Sequence, residues 1–236
     1  METHLKKSLV LVLAFSIVAG LGYAETINQV PTTITKSGYY EFEKDLTYSS
    51  TSGFAISVAA SNVIIDLKGH TLTSTVAGFT NGIGINVGHN AAEQGDFTNI
   101  AVQNGTISAF RIGVIVATDQ NTVQNLRLLN NAEGVTSVST SFNVVQNCLI
   151  IGPAGGKGLG VYLLFCSADA VKNNQLGNCL YGVYSFGTGG CACVQNYIAK
   201  CTYGLNLGST DKYQGNVTTG CATPFSGGIA VGDENN

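Results

Sequence analysis

The sequence predicts an all-β chain wound into a solenoid of about eight turns, and three observations carry that prediction. A phrase of Val, a long polar residue and Asn recurs at Asn104, Asn125, Asn147, Asn173 and Asn196, with a degenerate copy at Asn216, in steps of 21, 22, 26, 23 and 20 residues. A second phrase, glycine followed by alternating apolar residues, keeps pace with it at Gly113, Gly134, Gly160, Gly182, Gly204 and Gly228. Between these phrases the apolar residues alternate over three to five positions and show no 3.6-residue stripe, so the elements are short half-buried strands and not helices.

Composition bounds the rest. The chain has 236 residues with 30 glycines, three prolines, no tryptophan, only 11% charged residues and a net charge of -3. Collagen and proline-rich disorder are excluded. So few lysines and arginines cannot neutralise a row of phosphates, which excludes nucleic acid as a partner. The chain is long enough for one β domain with a continuous core.

Taken in order, residues 1–24 read as a cleaved secretion signal: Lys6 and Lys7, an apolar run from Leu9 to Leu21, then the small residues Gly22 and Ala24. The run is too short for a bilayer span of about 20 residues, so membrane contact is expected only through this leader. Residues 25–236 form the predicted solenoid domain, in the periplasm or outside the cell. Ile56 with Val58 and Ile85 with Val87 are early copies of the strand after glycine, and Val63, Ile65 and Leu67 precede the first Asn. A unit of about 22 residues cannot enclose a core alone, but stacking buries a continuous apolar column. The recurring Asn104, Asn125, Asn147, Asn173, Asn196 and Asn216 are then expected to form a structural amide ladder, at the strand spacing of about 4.8 Å. Asn also tolerates the left-handed backbone of a tight corner.

Together with Gly38, Tyr39, Tyr40, Asp45 and Leu46, and the later run Ile65, Asp66, Leu67, Lys68, Gly69, His70, this pattern resembles the right-handed parallel β-helix repeat of the pectin-lyase-like superfamily, including its periplasmic carbohydrate-binding and sugar-hydrolysis repeats. The resemblance spans roughly residues 34–231 and implies a single-stranded right-handed parallel β-helix. It also implies that the strand after each glycine lines a polysaccharide groove. The outward residues there would be Ser57, Asn86, Ile115, Thr136, Tyr162, Tyr184, Asn206 and Ala230, none of them charged.

Ordinary glycosidases need two facing carboxylates. The family's catalytic signatures are missing when sought residue by residue: no two Asp are adjacent, Arg111-Ile112 runs on to Gly113 where a lysine would be required, and no proline lies between Arg111 and Arg127. The remaining catalytic candidates are Arg111, Glu133 and Lys157, which precede successive glycines, and Asp119 at the next corner; a surface ion-pair row is the alternative. The binding candidates are Tyr162, Tyr184, Phe186 and Asn206 on the groove strand and Tyr181 and Tyr203 beside them, since aromatic rings pack against sugars and against proteins, or simply against one another.

All seven cysteines lie between Cys148 and Cys221. Cys179, Cys201 and Cys221 follow successive Asn positions closely enough to stack, which makes them disulfide candidates in an oxidising compartment, or else a column of small buried hydrophobes. Cys191-x-Cys193 lacks a second pair, and His70 and His89 are isolated, so no metal site is predicted. The leading expectation is non-catalytic binding of carbohydrate or of a cell-envelope partner, or a structural surface role. The rival is a pectate-lyase-like lyase, a hydrolase or an epimerase. No cofactor is predicted, calcium entering only with the lyase reading. The open ends of such a solenoid predict homo-oligomers.

Overall fold

The computed structural model describes residues 24–76, 78, 82–88, 96–232 and 235. The predicted leader, apart from Ala24, and His89 lie outside the described residues. The described chain is all-β, with 23 strands that pair only in parallel. It is a right-handed parallel β-helix of about eight turns.

Each turn contributes to three faces. Ile112–Val116 lies on the first; Thr122–Leu129 then supplies the second with its opening residues and the third with its closing ones. The next turn repeats the order, so that Val114 faces Val135, Val123 faces Val145 and Leu128 faces Ile150. Inward residues of all three faces merge in one core, in which Ile56, Ile65, Leu72, Ile85, Phe110 and Leu128 are fully buried.

The recurring glycine has a steric cause. On the first face a Cβ built on Gly113 would come within 2.7 Å of the Gly134 oxygen, one on Gly134 within 2.5 Å of the Gly160 oxygen, and one on Gly160 within 2.3 Å of the Gly182 oxygen. Any side chain there would push neighbouring turns apart. The last turn departs from the predicted register: Tyr203 faces Thr223 and Asn206 faces Ser226, while Ile229 and Ala230 pair with Lys212 and Tyr213 on the second face. Ala230 is therefore no groove residue. Pro224 takes the place expected of Gly228, its oxygen lying 2.3 Å from where a Gly204 Cβ would sit.

The amide ladder likewise divides in two. Asn104, Asn125, Asn147 and Asn173 occupy one corner column in the left-handed region, with φ of 61°, 53°, 55° and 56°. Gln195, φ 55°, continues that column. Asn196 and Asn216 fall one residue further on, in register with Asn174, and all three are buried. There the Asn174 and Asn196 amides each donate both to the next turn, through Asn196 Oδ1 at 3.1 Å and Asn216 Oδ1 at 2.9 Å, and to a core carbonyl, Val145 O and Val171 O. The backbone N–H of Asn196 also donates to Asn216 Oδ1.

Candidate functional site

The groove expected along the first face is closed in its middle turns: Asn86, Ile115 and Thr136 are buried on its outward side, whereas Ser57 before them and Tyr162, Tyr184 and Asn206 after them are half-buried. Pairing places Tyr162, Tyr184 and Asn206 in one column, and Leu159, Tyr181 and Tyr203 in the column beside it.

Four of these rings form an uninterrupted stack. Tyr162 lies on Tyr184 with ring centroids 5.2 Å apart and planes 5° from parallel; Tyr184 lies on Tyr181 at 4.7 Å, and Tyr181 on Tyr203 at 4.7 Å. The strand repeat fixes this, because rings on adjacent turns meet at about the distance aromatic stacking prefers. Rings that use their faces on one another present edges and hydroxyls outward. Among the described residues those four hydroxyls have no hydrogen-bond partner. Burial, then the neighbouring Tyr184 and Glu133, push the Tyr162 hydroxyl above its ordinary pKa, so it stays a proton donor.

Phe186 follows Tyr184 on the same side of the strand and is 51% exposed. It meets Phe165 edge-on at 5.7 Å, and Phe165 and Phe142, at the corner beyond, are more exposed still. Phe165 was no sequence candidate; it occupies a left-handed corner at φ 55°, and its ring lies where a Gly187 Cβ would come within 2.4 Å.

The structure does not unite the charged candidates. Glu133 faces Ile112 and Leu159, its N–H donates to Arg111 O, and its carboxylate accepts from the Thr136 hydroxyl. Lys157 sits in the inserted turn before Gly158. Asp119 lies at the opposite corner, where its carboxylate accepts the Ser141 N–H at 2.7 Å. Among the described residues the ion pairs are Lys68 with Glu41 and His70 with Asp45, so no ion pair joins Arg111, Glu133 and Lys157.

Sequence reasoning missed two buried carboxylates. Asp211 accepts from the Ser185 and Thr188 hydroxyls, both at 2.6 Å, and from the N–H groups of Cys191 and Gly208. Asp169 accepts from Ser137, Thr140 and the Asn143 N–H in the same way. A signal was present: Ser-x-x-Thr occurs at 137–140 and again at 185–188. Both carboxylates point into the core and have their lone pairs engaged, which makes them structural.

The seven cysteines are free thiols, six of them buried. Cys191 and Cys193 face the core, and burial pushes the Cys191 thiol up to about 12. Cys179, Cys201 and Cys221 stand in register on three successive turns. Among the described residues no group of three or more His, Cys, Asp or Glu is placed to hold a metal ion.

Fold and face define a β-solenoid protein with a tyrosine-lined outer strip. The chain belongs to the family described as periplasmic copper-binding protein (NosD), whose model matches residues 43–221. Among solved structures it is similar to the enzymatically active domain of tailspike protein 2 of bacteriophage CBA120, with 11% identity over 84% of this chain and 37% of that one, at a TM-score of 0.50. The full-length tailspike protein 2 from Escherichia coli O157:H7 bacteriophage CAB120 matches at 11% identity, over 83% of this chain and 34% of that one, at a TM-score of 0.48. The chain thus spans little more than a third of either tailspike chain. No curated relative matches it.

Proposed function

We propose that this β-helix binds a neutral polysaccharide of the cell envelope, without cleaving it, along the strip formed by Tyr162, Tyr184, Tyr181 and Tyr203. The supporting observation is the four-ring stack with outward hydroxyls and Phe186 as an apolar shoulder. Phenol hydroxyls in a row donate to and accept from sugar hydroxyls, while the exposed Phe186 ring offers a face to a pyranose. The strip itself carries no charge, which favours an uncharged polymer over a polyuronate.

The family's description names copper. Among the described residues no three His, Cys, Asp or Glu converge, so this reading assigns copper no ligands on the tyrosine strip.

Affinity electrophoresis in gels containing a neutral glucan, or containing polygalacturonate, tests this. Retardation by the glucan is expected, weakened at least tenfold, about 1.4 kcal/mol, in Tyr162→Ala plus Tyr184→Ala with an unchanged circular dichroism spectrum. Retention that survives the double substitution, or release of reducing ends from either polymer, would overturn the proposal.

A further inference from the structure

The thiol column at the corner between the third and first faces is not uniform, and its gradient has chemical content. Cys179 is 1% exposed and Cys201 4%, whereas Cys221 on the following turn is half-buried and so reachable by a reagent. Gly177 faces Ala199 and Ala199 faces Thr219, so each cysteine, two residues on, stands directly beside the next. Neighbouring strands lie about 4.8 Å apart, inside the Cα separation of about 4.4–6.8 Å that a disulfide spans. Each thiol donates to a backbone carbonyl near its own corner, Cys179 to Gly177 O at 3.2 Å, Cys201 to Ala199 O at 3.5 Å and Cys221 to Ile198 O at 3.8 Å, so no thiol is tied up by a side chain. The neighbouring Cys179 thiol is the largest influence on Cys201 and holds it low, against the opposing effect of burial. The same contact pushes the Cys179 thiol up.

From this geometry we infer that Cys201 and Cys221 are a dithiol that takes an external disulfide as oxidant and closes a bridge across the last two turns, while the buried Cys179 stays reduced. The Cys221 thiolate attacks one sulfur of the external disulfide, forming a mixed disulfide and expelling one thiolate. The Cys201 thiolate then attacks Cys221 Sγ, forming the Cys201–Cys221 bond and expelling the second. The two cysteine protons pass to the two departing thiolates, so two protein thiols are oxidised and one external disulfide is reduced. A periplasmic family is exposed to such oxidants.

The test uses the full folded chain and oxidised glutathione. After incubation, free thiols are alkylated under denaturing conditions and the chain is cut with trypsin, which cleaves after Lys200 and Lys212 and leaves Cys201 and Cys221 on separate peptides. A single cross-linked pair of those two peptides, two hydrogens lighter than their sum, is expected. Cys201→Ser should instead retain glutathione on Cys221, and Cys179→Ser should still form the Cys201–Cys221 bridge. Since the hydroxyl fills the thiol's place, circular dichroism should be unchanged in both variants. A wild-type chain that forms no bridge, or one that includes Cys179, would overturn the inference, as would Cys201→Ser failing to trap the adduct.

Discussion

The two halves of the solenoid reach the same three-faced shape by different means. Up to about Ala117 the interior is filled mainly by aliphatic and aromatic side chains such as Ile56, Ile65, Leu67, Ile85 and Phe110. Beyond it the core admits Asn121, Asn143, Asp169, Asn174, Asn196, Asp211 and Asn216, and six of the seven cysteines. Hydrophobic burial is non-directional and tolerates small shifts. Hydrogen-bonded columns do not, because each buried donor or acceptor left unmade costs about 1–3 kcal/mol. The later half is thus specified by register, and the earlier half by volume.

The largest way to break this contrast is Asp211→Ala. It strands the Ser185 and Thr188 hydroxyls and the Cys191 N–H in the core, so a loss of about 3–5 kcal/mol is expected from urea unfolding. Ile85→Val in the early half, which removes one methylene from a fully buried side chain, should cost about 1 kcal/mol. Equal losses for the two would remove the distinction.

Acidity sharpens it next. Burial pushes the Asp66 carboxyl up, but hydrogen bonds from the Tyr39 hydroxyl, the Lys68 N–H and the Asn104 and Gln103 amides outweigh that and leave it below the usual carboxylate range. A depressed folded value means stability present above about pH 4 and lost as the pH falls through it. Its partner Tyr39 is pushed up to about 12, first by the hydrogen bond to Asp66, so its contribution is present below about pH 10 and fades as the pH rises through 12. Urea midpoints measured against pH should show both limbs in the wild type and shallower ones in Asp66→Asn. The Asn174, Asn196 and Asn216 column carries no titrating group, and Asn196→Leu should leave both limbs in place. The smallest effect belongs to the exposed Lys68–Glu41 pair at 3.5 Å: Lys68→Met should cost less than about 1 kcal/mol, and nothing in molar salt.

The sequence made the coil legible because repetition survives in the residues that geometry constrains hardest. Glycine cannot be replaced where a carbonyl lies 2.3–2.7 Å from its absent Cβ, so Gly113 to Gly204 read true. The Asn phrase read true as far as Asn173. There Asn173-Asn174 offers both the corner residue and the buried one, and Cys193 replaces the expected Val, so the phrase at Val194–Asn196 slips by one. The tyrosine columns were legible from alternation, but the continuous contact through Tyr181 was not, since it depends on ring direction. Asp169 and Asp211 escaped notice because a polar residue beside Ser and Gly resembles a loop until its turn is stacked.

The buried asparagine column carries a further consequence. The ladder runs one way: the Asn196 oxygen accepts from Asn174 on the earlier turn, and its amide nitrogen donates to Asn216 on the later one. Excising residues 175–196 would bring Asn174 onto Asn216 in the relation that Asn196 now holds, because the column keeps register across turns of 22 and 20 residues alike. Whole coils are thus the unit that can be added or lost without breaking the column, while the corners absorb the spread of 20 to 26 residues between one coil and the next.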